Sequence, residues 1–108
     1  MKTAVLVDDL MFSSKISETA KQVGAQIVFC RSAEDVPSDA TRICVDLNAT
    51  TFDALAEIRK LKSKRGAPIF AYLSHVQVAL KKEAEEAGAT DVMPRSVFVQ
   101  RLAAILSD

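Results

Sequence analysis

Five short runs of apolar and β-branched residues punctuate the chain: Thr3–Val7, Ile27–Cys30, Ile43–Val45, Ile69–Leu73 and Asp91–Met93. Runs of this kind predict strands buried on both faces, as in a parallel sheet. Between them the apolar positions recur at helical spacing. Phe12, Ile16, Ala20 and Val23 stand 4, 4 and 3 residues apart, and Val76, Leu80, Ala84 and Ala87 repeat that spacing. Phe52, Leu55, Ile58 and Leu61 recur every third residue, with Ala56 widening the stripe, and Phe98, Leu102, Ile105 and Leu106 predict a short last helix. Each stripe leaves charged residues on the opposite face. Gly24, Gly66 and Gly88 follow three of these stretches, where a left-handed residue caps a helix. Only Arg31–Thr41 breaks the alternation, because Pro37 and its polar neighbours leave room for one or two helical turns at most.

Strands alternating with helices predict one α/β domain over residues 1–108. The arrangement is a flavodoxin-like, doubly wound, five-stranded parallel sheet with right-handed crossovers and strand order 2-1-3-4-5. In such a sheet ligands bind beyond the carboxyl ends of the strands, where the strand order reverses. Here that point lies between the first and third strands. The first ends in Asp8-Asp9 and the third runs into Asp46. Three carboxylates are therefore predicted to converge. Like charges so placed repel, and desolvation adds to the cost. A divalent cation relieves both, and carboxylate oxygens with a backbone carbonyl and waters suit Mg²⁺. Any one of the three would serve equally as a loop or helix cap; three at one switch point indicate a site.

Composition narrows the partners. The chain is 49% hydrophobic and 26% charged, which is globular usage. Fourteen Lys and Arg balance fourteen Asp and Glu, so no global charge attracts nucleic acid or an anionic membrane. The basic run Arg59, Lys60, Lys62, Lys64 and Arg65 falls at a helix C-terminus, where cations favour the helix dipole, and reads as a solvated helix end. The first apolar stretch stops at Asp8, short of a signal-peptide core, and no run approaches a membrane span. Cys30 and Cys44 show no metal or redox spacing, and His75 is the only histidine. The cysteines read as small buried hydrophobes, His75 as a loop residue, and the chain as a cytoplasmic domain. No glycine belongs to a phosphate-binding loop.

The chain resembles the receiver domain of two-component response regulators. The resemblance rests on Val5-Leu6-Val7-Asp8-Asp9, on Ile43-Cys44-Val45-Asp46 with Asn48 two residues on, on Gly88-Ala89 and on Arg95 after the fifth strand. It implies that Asp46 accepts a phosphoryl group from a histidine kinase. It implies also that Asp9 and Asp46 bind Mg²⁺ directly, Asp8 through water, and that the backbone carbonyl of Asn48 completes the protein ligands. The chemistry is attack by a carboxylate nucleophile, with the metal neutralising developing charge.

Several positions depart from the family pattern. The family's Ser or Thr at the end of the fourth strand, which contacts the phosphoryl group, falls on Leu73; Ser74 is one residue late, and adjacent strand residues face opposite ways. The family's Lys is Arg95, a planar fork in place of a point charge. Ser96 stands where a Pro follows that Lys, and Val92 where an aromatic reports phosphorylation. Leu73, Ser74 and Arg95 are thus the candidate phosphate contacts. The acidic residues are kept while the switching parts are replaced, as in a degenerate or pseudo-receiver.

Three readings follow. The first is a receiver-like signalling module, not an enzyme, that contacts another signalling protein (a histidine kinase, a downstream effector or a second copy of itself) and binds Mg²⁺ weakly. The second is a fully competent receiver in a phosphorelay. The third is a small Mg²⁺-dependent phosphohydrolase, which the lack of a substrate-enclosing cap disfavours.

Overall fold

The apolar runs form five strands in the computed structural model, which describes residues 2–64, 66–74 and 77–107. They are β1 (Lys2–Leu6), β2 (Gln26–Cys30), β3 (Arg42–Asp46), β4 (Ile69–Leu73) and β5 (Asp91–Pro94). Four helices alternate with them: α1 (Leu10–Val23), α2 (Ala54–Lys64), α3 (Val78–Ala87) and α4 (Arg95–Ser107). One 3-10 turn, Ala33–Asp35, occupies the polar stretch before β3. Every strand pair is parallel and the order is β2-β1-β3-β4-β5, as expected from the sequence. Among the described residues no helix is long and apolar enough to cross a membrane.

The period-2 alternation of the strands divides the core into two layers. On one face Leu6, Ile43, Val45, Ile69, Ala71, Leu73 and Val92 pack against Ile58 and Leu61 of α2 and Ala84 and Ala87 of α3. On the other, Val5, Cys44, Tyr72 and Met93 meet Phe12, Ile16 and Ala20 of α1 and Phe98, Leu102 and Ile105 of α4. Both cysteines are buried, and burial pushes the Cys44 thiol up to about 12, so it behaves as a hydrophobe.

Helix ends follow local chemistry. The Asp9 carboxylate accepts the Phe12 N–H at 3.1 Å and caps α1, which ends at Gly24 with φ of 69°. Asp53 starts α2 by accepting the Ala56 N–H on its side chain at 3.1 Å. Gly88, φ 128°, closes α3, and a Cβ there would stand 2.6 Å from Lys62 Cβ, so glycine lets α2 and α3 approach. Lys60 in the basic run pairs with Glu34 and Glu57, each at 3.5 Å, in keeping with a solvated helix end; Arg65 lies outside the described residues.

Several expectations are corrected. β1 stops at Leu6 and Val7 enters the loop. β2 is an edge strand bonded only to β1, and Phe29 on it is 44% exposed instead of buried. The physical reason is position: Phe29 pairs with Val5 on the α1–α4 face, on a strand whose outer edge has no neighbour. Phe52 precedes α2, and α3 begins at Val78, while Val76 lies outside the described residues. The last helix is 13 residues long and starts at Arg95, directly after the strand residue Pro94. Glu57, read from the sequence as part of a charged face, is buried; its Oε1 accepts the Ala33 N–H at 2.7 Å and anchors the 3-10 turn to α2.

Candidate functional site

Asp46 is the last residue of β3, between β1 and β4, and is 2% exposed. Its Oδ1 accepts the Asn48 N–H at 2.8 Å. Burial raises the Asp46 carboxyl above its ordinary range; the Asn48 N–H and the Arg95 charge pull it down, while the negative charges of Asp8 and Asp9 add to the rise. Asp46, Asp8, Asp9 and Arg95 therefore share one electrostatic neighbourhood at the switch point.

The two acidic residues after β1 are committed in different directions. Asp9 uses one oxygen to cap α1, and its Oδ2 stands 3.8 Å from Nη1 of Arg95. Asp8 turns toward the β3–α2 loop. Its Oδ2 accepts the N–H groups of Thr50 at 2.8 Å and Thr51 at 3.0 Å, and the Thr51 hydroxyl at 3.1 Å. Burial would raise the Asp8 carboxyl, but the hydrogen bonds from Thr51 and Thr50 together outweigh it and lower the pKa.

Arg95 reaches the site from the first turn of α4. Its guanidinium carbon lies 4.8 Å from the Phe12 ring centroid, a cation–π distance. Its Nε is buried and has no hydrogen-bond partner among the described residues. The same holds for the hydroxyl of Tyr72, a fully buried β4 residue whose Cα pairs with that of Asp46. Sequence reading missed Tyr72. The available signal was register: it is the β4 position beside the Asp46 carboxylate.

Asn48 does more than was read from the sequence. Its Oδ1 accepts the Ser74 N–H at 2.6 Å and its Nδ2 donates to Gln77 Oε1 at 3.0 Å, so its side chain ties the β3–α2 loop to the β4–α3 loop. Leu73 is 3% exposed and packs in the α2–α3 layer with Val92, on the sheet face away from Tyr72. Ser74 is exposed, and His75 lies outside the described residues.

No protein-family model and no curated protein sequence matches the chain. Solved structures do. The BeF3-activated receiver domain of DrrB aligns with a TM-score of 0.80 at 21% identity, covering 96% of this chain and 92% of that one. The BeF3-activated N-terminal receiver domain of Klebsiella pneumoniae RstA covers 100% of both chains with a TM-score of 0.81 at 17% identity. Vibrio cholerae CheY4 aligns with a TM-score of 0.82 at 15% identity, over 97% of this chain and 94% of that one. The chain has the receiver-domain fold. At these identities the likeness carries the architecture, and the chemistry rests on the site.

In this receiver fold the fit to Mg²⁺ is partial. Among the described residues no group of three or more His, Cys, Asp or Glu side chains is arranged to hold a metal ion. Of the three acidic side chains, Asp8 has one oxygen, Oδ2, taken by Thr50 and Thr51. The side-chain oxygens that would suit a hard cation here are Oδ2 of Asp9 and the Asp46 carboxylate. The first of these already faces Arg95.

Proposed function

We propose that this chain is a receiver-like signalling module with Asp46 as its phosphoacceptor, weak affinity for Mg²⁺ and a weakened switch. The observation that carries the reading is the placement of Asp46: a carboxylate 2% exposed at the switch point of a receiver fold, with Arg95 close enough to oppose its burial cost. One oxygen of Asp46 accepts the Asn48 N–H. In transfer, a carboxylate oxygen of Asp46 bonds to phosphorus while the P–N bond to the donor's imidazole breaks, and the electron pair leaves with the nitrogen. Arg95 faces the charge that develops. Bound Mg²⁺ would supply further charge neutralisation through Asp9, Asp46 and the Asn48 carbonyl, with Asp8 acting through water.

The weakened switch follows from Leu73 and Val92, both buried in the α2–α3 layer with no hydroxyl to follow a phosphoryl group. A phosphoryl group biases two states only through contacts that differ between them. Output in this reading passes by contact with another protein in the cytoplasm, either a histidine kinase or a downstream effector, or with a second copy of the chain. The module is not an enzyme. The test is intact-mass analysis after incubation with acetyl phosphate and Mg²⁺. One added phosphoryl group on the native chain and none on Asp46→Asn is the expected result; an unmodified native chain overturns the phosphoacceptor role.

A further inference from the structure

Two buried donors without a partner among the described residues, the Tyr72 hydroxyl and Arg95 Nε, come from different elements into the same neighbourhood. Parallel pairing places Tyr72 beside Asp46 on the same face of the sheet. Its ring is fixed by aromatic neighbours on both helices: Phe98 of α4 stacks at 4.4 Å between centroids, and Phe12 of α1 tilts against it at 5.0 Å. Arg95 lies over the far member of that cluster, Phe12. A phenylalanine would make the same ring contacts without the cost of an unpaired buried hydroxyl. Burial, and next the negative charge of Asp46, keep the proton on the phenol, so Tyr72 presents a donor.

We propose that the Tyr72 hydroxyl is a phosphoryl-oxygen ligand of this site, making from the α1–α4 face the hydrogen bond that Leu73 on the opposite face cannot make. The inference rests on Asp46 being the phosphoacceptor. Its chemistry is that of a tetrahedral oxyanion on Asp46, met by a phenol donor from β4 and a guanidinium from α4. The sequence itself does not announce such a role, because the residue lies one position before the one where the family carries its hydroxyl.

The chain has one tyrosine and no tryptophan, so near-ultraviolet absorption reports on Tyr72 alone. The probe is beryllofluoride with Mg²⁺. Its addition is expected to shift the tyrosine band to longer wavelength in the native chain and to leave it unmoved in Asp46→Asn. Tyr72→Phe keeps the ring stack, is expected to be at least as stable as the native chain, and should bind beryllofluoride at least about tenfold more weakly. Equal binding by Tyr72→Phe, or binding by the native chain with no change in the tyrosine band, overturns the inference while leaving Asp46 as acceptor. A native chain that binds no beryllofluoride overturns both.

Discussion

The guanidinium of Arg95 stands 3.8 Å from the outward carboxylate oxygen of Asp9. An internal cation thus faces one of the donors on which a divalent ion would depend. Both side chains are about one-third exposed, at 34% and 38%. Ion pairs exposed to that degree contribute only about 0–1 kcal/mol, so millimolar Mg²⁺ can compete with Arg95.

Arg95→Ala should therefore bind Mg²⁺ more tightly than the native chain. Metal at a concentration equal to its Kd adds about 0.4 kcal/mol, or about 2–3 °C in a domain of this size. Thermal unfolding with and without millimolar Mg²⁺ is expected to show a small rise for the native chain, a larger one for Arg95→Ala and none for Asp9→Asn. Identical rises for the first two would show that Arg95 and the metal do not compete.

Asp46 and Asp8 should respond to pH with opposite signs. The Asp46 pKa is raised in the folded chain, above an ordinary value of 3.8, chiefly by burial. Its protonated form favours folding, so the stability it contributes is present below 3.8 and lost as pH rises through the folded value. Asp46→Asn should stabilise the metal-free protein at neutral pH and lose that advantage in acid. The Asp8 pKa is lowered, because the Thr51 and Thr50 hydrogen bonds outweigh its burial. Its contribution is present above 3.8 and is lost as pH falls through the folded value, so Asp8→Asn should be less stable at neutral pH and equal in strong acid. Urea unfolding at pH 7 and near pH 3 measures both signs; two variants changing in the same direction would contradict this assignment.

Glu57 is expected to be a larger structural determinant than its charge suggests. Its Oε1 accepts the buried Ala33 N–H at 2.7 Å. Glu57→Ala leaves that donor without its acceptor and should cost about 1–3 kcal/mol in denaturant unfolding. Glu57→Gln keeps an oxygen acceptor and should cost less. Equal losses for the two would assign the effect to the ion pair with Lys60 instead.

Strand order and the placement of Asp46 were legible because short apolar runs fix the faces and topology fixes the switch point. The commitments of individual side chains were not. Asp8 and Asp9 are adjacent in sequence and equally acidic, yet one serves Thr50 and Thr51 and the other α1 and Arg95. Which does which depends on where the β3–α2 loop passes. Glu57 looked like a solvated charge because its partner Ala33 arrives through a different crossover, 24 residues away. Tyr72 looked like any strand residue, since its importance comes from register with Asp46 and from rings supplied by α1 and α4. The exposure of Phe29 reflects its place on the edge strand β2, which pairs only with β1.

The central claim, an acceptor site kept while its switch is weakened, is tested most directly by amide NMR of the native chain with beryllofluoride and Mg²⁺. The expected result is a set of shifts confined to the loops around Asp8, Asp46 and Leu73, with Tyr72 and Arg95 included. Shifts spreading beyond Tyr72 and Leu73 through the rest of β4, α3 and β5 would contradict the weakened switch and identify a fully competent receiver. A spectrum unchanged by the mimic would contradict the acceptor site itself.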